Sequence, residues 1–439
     1  MRSRTHATLL LAITLLSARA VAAEAPETSR IVHAGHLLAV PGQPMRGPST
    51  LVVRGGRIDA VHDRLRSAAS LGLPADTEVV DLSRRYVLPG LIDSHVHLRG
   101  DTGGNEGLLE GLTRSDAAGA YNTLLMAQKT LRAGFTTVRN LGDGNGATLA
   151  LRDAVNAGAL QGPRIVDAGR SLSATSGHMD GRLGLREELV DHHEPDNLCD
   201  GADACRKAVR TQVGRGVDVI KFASTGGVNS RIGAGLSAQV FDDEARAIIE
   251  TAHLYGKKVA VHAHGDDGIA MAVKHGVDSV EHGTLMSDAT AQAMARRGVY
   301  YVPTLSTVNG YKERLAANPN AYSGEVLKKI QWRIGVTGKS LAVALRHGVK
   351  IAFGTDAGVS KHGRNADEFE LLVQYGMTPM QAIQAATVNA ADLLGLAKEV
   401  GTLEAGKAAD LIAVDADPLA DVRALKTVPY VMKAGRDVR

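Results

Sequence analysis

KVAVHAHGDDGIAMAVKHGVDSVEHGT, residues 258–284, holds two short β-branched runs separated by one helix-like stretch ending in glycine. A glycine after a helix, followed at once by a β-branched run, is the helix-to-strand return of a βα unit. Both runs end in ionisable residues, His262-Ala263-His264 in the first and Glu281-His282-Gly283 in the second.

The same grammar repeats along the chain. VLPGLIDSHVHL, FTTVRNL, RIVDAGR, VDVIKFAS, KVAVHAH, SVEHGT, YYVPTLS and KIAFGTDAG make eight strand candidates. Stretches such as TLLMAQKTLRAG, DEARAIIETAHLYG and LAVALRHG supply helices ending in Gly. In DDEARAIIETAHLYG, Ala245, Ile248, Ile249 and Ala252 fall on one face, as a helix packed on a sheet requires. Parallel strands alternating with helices predict an α/β chain folded as a (β/α)8 TIM-type barrel, with its active site at the C-terminal strand ends. The two ends of the chain read differently. STLVVRGGRIDAVHD is a hairpin pattern with Gly55-Gly56 at the turn, and ADLIAVDADP and VPYVMKAGRDVR are short apolar runs split by turn residues. They predict a small β-sandwich domain built from residues 24–88 and 402–439, with the barrel at 89–401 between them.

Composition narrows the partners. Hydrophobic residues make up 44% of the 439 and aromatics 3%, so the core rests on Ala, Val, Leu and Ile. Lys plus Arg number 50 against 47 Asp plus Glu, a balance of +3 that argues against nucleic acid or an anionic membrane as partner. The start is basic (MRSRTH), then apolar (ATLLLAITLL), then small (SARAVAA). That is the pattern of a secretory signal over residues 1–23, and an exported, periplasmic or secreted protein is expected. An uncleaved N-terminal anchor is the alternative. Cys199 and Cys205 are the two cysteines; a local disulfide and two free thiols are both compatible with the sequence.

The ionisable residues sit where the strands end. Alternation puts His95 and His97 on one side of the first strand. Lys221 lies between Ile220 and Phe222 in a run that reads as buried, where an unpaired ammonium is costly. His262, His264, His282 and Asp356 end three further strands. Imidazoles, a lysine and a carboxylate gathered at five strand ends point to a metal centre. Glu281 is expected to face outward by parity, without a chemical role, and Arg139 to form a structural ion pair.

PGLIDSHVHL, VIKFAS, VAVHAHG, VEHGT and GTDAG resemble the motifs of the metal-dependent amidohydrolase superfamily. STGGV after the lysine and SGH after the third strand are similar to its Xaa-Pro dipeptidase, N-acyl amino acid hydrolase and ochratoxin-degrading subgroup. The resemblance implies a binuclear centre. His95, His97 and Asp356 would hold one divalent ion and His262 and His282 the other, with Lys221, carboxylated by carbon dioxide, bridging both. Zinc is the expected ion. The implied reaction is attack of a metal-bridged hydroxide on an amide bond to a C-terminal amino acid, in a dipeptide, an N-acyl amino acid or ochratoxin A. Asp356 would shuttle the proton, and His264 would hydrogen bond the substrate carbonyl or the tetrahedral intermediate. His178 is a further candidate for substrate contact, or an ordinary loop histidine. Arg231 would hold a substrate carboxylate, or be a solvated loop arginine. Relatives imply a homo-oligomer acting on a small molecule. A cyclic-amide hydrolase of the imidazolonepropionase or hydantoinase kind is the alternative activity, and a non-catalytic barrel scaffold a more distant one.

Overall fold

The computed structural model describes residues 29–142, 144, 146–190, 195–231 and 235–438, so the expected leader at 1–23 lies outside the described residues. The first strands are β1 (Ser29–Leu37), β2 (Ser49–Arg54), β3 (Arg57–Asp63) and β4 (Glu78–Pro89). Then come β5 (Leu91–Val96), β6 (Phe135–Asn140), β7 (Arg164–Asp167), β8 (Val219–Ala223), β9 (Lys258–Ala263), β10 (Ser279–His282) and β11 (Tyr300–Val302). β12 (Leu411–Val414), β13 (Tyr430–Lys433) and β14 (Arg436–Asp437) close the chain.

Strands from both chain ends form one seven-stranded sheet, in the order β14-β13-β12-β4-β1-β2-β3. The hairpin is present, with Arg54 opposite Arg57 and Gly55 and Gly56 at φ 55° and 78°. A small β-sandwich domain built from both chain ends was expected. β4, at 12 residues, holds β1 on one edge and β12 on the other, so hydrogen bonding joins strands of both ends.

The middle of the chain is α/β. β5, β6 and β7 form one parallel sheet, and β8 to β11 another. Isolated parallel bridges connect them: Leu172 to Phe222, Tyr301 to Ile351, and Val96 to Ala357. Most residues of these strands are buried along their whole length, as parallel strands covered on both faces must be. Seven of the eight expected strands are regular. The eighth, KIAFGTDAG, pairs only through bridges at Ile351 and Ala357. Asp356 at φ 55° interrupts any ladder there. The stretch also runs close to its neighbours: a Cβ on Gly354 would stand 2.3 Å from Val302 and 3.0 Å from the His95 Cβ. The helix at Asp242–Leu254 buries Ala245, Ile248, Ile249 and Ala252, the face read from sequence. Among the described residues no helix is long and apolar enough to cross a membrane.

Candidate active site

A cavity of about 170 Å³ opens at the C-terminal ends of β5, β8, β9 and β10. His95, His97, His178, Lys221, His262, His264, His282 and Asp356 all line it. The structure therefore brings together every residue expected there except one. Arg231 is half-buried with its Cδ beside Gly184, and it does not line the cavity. Cys199 and Cys205 form a disulfide, their Cα atoms 4.8 Å apart.

The histidine rings form a continuous chain. Centroids are 5.3 Å apart for His95 and His97, 5.1 Å for His95 and His282, 4.6 Å for His282 and His262, and 4.1 Å for His262 and His178. Burial disfavours the charged imidazolium. It pushes His95 down to about 4 and His178 to about 3, and holds His262, His264 and His282 well below the ordinary histidine range. Near neutral pH these rings are neutral, each with one lone pair and one N–H.

Hydrogen-bond partners decide which nitrogen carries the lone pair. His95 Nδ1 lies 2.9 Å from Glu281 Oε2, an acceptor only, so Nδ1 donates and Nε2 keeps its lone pair. His97 Nδ1 meets the Gly142 carbonyl at 3.3 Å, which leaves the lone pair on Nε2, and His262 Nε2 meets the Gly226 carbonyl at 3.4 Å, which leaves it on Nδ1. Thr304 Oγ1 spends its proton on the Pro303 carbonyl at 2.8 Å, so it accepts from His282 Nδ1 at 2.7 Å. All four rings thus turn a lone pair away from their hydrogen-bond partners, as metal-ligating histidines do.

His178 and His264 differ from those four. His178 Nδ1 is 2.6 Å from Ser230 Oγ, which accepts from the Gly227 amide and so has its own proton for the ring. His264 Nδ1 is 2.8 Å from Thr284 Oγ1. A hydroxyl donating to Nδ1 leaves the ring proton on Nε2. Gly227 is needed for this arrangement, since a Cβ there would stand 2.1 Å from the His178 ring.

Three side chains at strand ends have φ values that non-glycine residues rarely adopt: His282 at 68°, Thr304 at 47° and Asp356 at 55°. Such strain costs of order 1–3 kcal/mol per residue and clusters at functional sites. It also explains the misread Glu281. With His282 turned out of the extended region, strict alternation fails at the end of β10, and Glu281 faces inward, fully buried. It bonds His95 and pairs with Arg139 Nη2 at 2.8 Å. Burial alone would raise its pKa, but Arg139 and His95 hold it down at about 2.

The residues fit a metal ion on two counts. Among the described residues, Lys221 Nζ and Asp356 Oδ1 are buried without a hydrogen-bond partner. Asp356 Oδ1 also sits 3.3 Å from His97 Nε2 and 3.6 Å from His95 Nε2. Two donors on one tetrahedral zinc, each about 2.0–2.1 Å from it, stand roughly 3.4 Å apart. Ligand atoms of His95, His282 and Asp356 lie within 4.8 Å of one another. Desolvation lowers the Lys221 amine to about 8.

Arg333 and Tyr311 also line the cavity and were not singled out in the sequence. The signal was present for Arg333: it shares the buried stripe of the helix Gly324–Val336 with Val326 and Ile330.

A parallel α/β body with histidines, a lysine and an aspartate at its strand ends defines a hydrolase of the amidohydrolase class. The amidohydrolase family profile matches residues 86–438, and the chain belongs to that family, which is typically metal-dependent. It is a hydrolase acting on amide bonds, in the subgroup of Xaa-Pro dipeptidases and ochratoxinase. The ochratoxinase of Aspergillus niger is 32% identical over 429 residues, covering 92% of this chain and 86% of the relative. A crystal structure of a Xaa-Pro dipeptidase with bound methionine is 36% identical, with a TM-score of 0.88 over 93% of this chain and 99% of that one. A prolidase complexed with N-methylphosphonate-L-proline is 30% identical, with a TM-score of 0.83 over 94% and 100%.

Proposed function

We propose that this chain hydrolyses the amide bond to a C-terminal amino acid, in a dipeptide or an N-acyl amino acid, with ochratoxin A as a specific candidate. The observation that carries the reading is the convergence of four histidine lone pairs, Asp356 Oδ1 and the unpartnered Lys221 Nζ on one cavity. His95, His97 and Asp356 would hold one divalent ion, and His262 and His282 the other. Lys221 would complete the site as a carbamate, and the lowered amine supports that modification, because only the neutral amine adds carbon dioxide. Zinc suits this donor set. Bound ions would supply an activated water and polarise the scissile carbonyl.

The protein's own groups do the rest. The Asp356 carboxylate takes a proton from the attacking water and passes it to the leaving amine. Nε2–H of His264 and of His178 donates to oxygen as negative charge develops on the substrate carbonyl. The Arg139–Glu281–His95 chain fixes the His95 ring.

The bridges that link the two parallel sheets support a closed (β/α)8 barrel at 89–401, with a small domain from 24–88 and 402–439. The disulfide supports export to an oxidising compartment after removal of residues 1–23.

Metal analysis with a substrate screen tests the reading. Dipeptides, N-acyl amino acids and ochratoxin A should be cleaved by the metal-loaded enzyme and not after chelation, with divalent metal restoring turnover. Full activity in demetallated protein, or activity confined to cyclic amides, defeats it.

A further inference from the structure

Arg333 is 3% exposed and lines the same cavity as the histidines. A guanidinium offers five N–H donors, and burying its charge without an anion is costly. Its partners here are neutral and distant: Thr337 Oγ1 at 3.4 Å and the Pro303 and Thr304 carbonyls at 3.5 Å each. Among the described residues no carboxylate forms an ion pair with it. Lys329 lies one turn earlier on the helix Gly324–Val336, its Nζ bound to the carbonyls of Gly227 and Ser230.

We propose that Arg333 receives the free carboxylate of the substrate's C-terminal residue and thereby restricts the site to amides that carry one. The proposal rests on the amide-hydrolase reading above and assigns its specificity. A planar guanidinium matches a carboxylate in two parallel charge-assisted bonds, which a point charge cannot do. The location suits the task. Thr304, whose carbonyl faces Arg333, holds the His282 ring through its hydroxyl, so the guanidinium stands beside the proposed metal site. Tyr311 and Asn229 line the same cavity and complete a polar wall. Carboxamides and cyclic amides without a carboxylate leave the buried charge unanswered and are rejected on that ground.

Binding by the metal-loaded, full-length enzyme tests this apart from turnover. L-Phenylalanine and L-phenylalaninamide differ only at the carboxyl group. Calorimetry should show a preference of about 10- to 100-fold for the acid. Arg333→Met and Arg333→Gln should reduce that preference to about 3-fold or less. The Gln variant keeps an N–H donor for the Thr304 carbonyl, so one folded variant remains if the Met variant does not fold. Equal binding or no binding of the two ligands by the unmodified enzyme overturns the proposal, as does a preference that survives both substitutions. Comparing hydrolysis of N-acetyl-L-phenylalanine with that of its carboxamide separates the two readings. Cleavage without discrimination defeats only the carboxylate assignment. Acid-selective binding without cleavage of any amide defeats only the hydrolase reading.

Discussion

Arg139 and Arg333 are 2% and 3% exposed, yet their surroundings differ. Arg139 binds the Ser94 carbonyl at 2.6 Å, Ser279 Oγ at 3.0 Å and the Glu281 carboxylate at 2.8 Å. Among the described residues, Arg333 meets only neutral oxygens at 3.4–3.5 Å. The same contrast separates two layers of the site. Below, the Arg139–Glu281–His95 chain pairs each charge with its opposite. Above, among the described residues, Lys221 Nζ and Asp356 Oδ1 face the cavity without a hydrogen-bond partner, and the Arg333 fork has only long bonds to neutral oxygens. A buried polar group left without a partner costs stability, so a native fold that retains several in one cavity is holding them for something that binds there.

Substitutions in the two layers should therefore fail differently. In the upper layer, Lys221→Ala should abolish turnover and strip the metal together. Metal analysis and rate measurement on one preparation check this, and unchanged metal content would remove Lys221 from the bridge. Asp356→Asn should keep the fold and lower kcat by about 10²- to 10⁴-fold, the range for a lost general acid–base. A near-normal rate would remove it as the proton carrier.

In the lower layer the loss should appear in stability. Arg139→Met strands the Glu281 carboxylate and should cost about 3–5 kcal/mol in denaturant unfolding. Arg333→Met removes a charge that has no carboxylate partner among the described residues and should be neutral or stabilising in the ligand-free protein. Equal losses for the two would erase the distinction between the layers. Glu281→Gln still accepts from His95 but without charge, and it leaves the buried Arg139 guanidinium without its carboxylate, so a stability loss of the same kind as for Arg139→Met is expected with it. The substitution should also weaken metal binding by about 10- to 100-fold, read by competition with a chelator, while kcat at saturating metal changes less.

The legible part of this site was the part written in local periodicity. Alternation put His95 beside His97 and His262 beside His264, and the structure places all four in the cavity. Parity failed at Glu281 because it assumes an extended backbone, and His282 is at φ 68°. Arg231 sat next to the right motif in sequence, but the chain carries its side chain toward Gly184. Arg333 lies 102 residues after it on a helix whose buried face is read from spacing, but whose position over the cavity is not.

The sequence by itself determined the α/β alternation, the pairing of the two chain ends in β-structure, the family and the residue types that gather at the strand ends. Each follows from spacing along the chain, where near neighbours in sequence are neighbours in space. Tertiary structure alone decided which imidazole nitrogen is free and which arginine is satisfied. It also decided that both chain ends form one sheet through β4. Those outcomes depend on partners far apart in sequence, such as His95 and Glu281 at a separation of 186 residues. No local pattern encodes them, because they are fixed only when separate strands and helices pack around the same cavity.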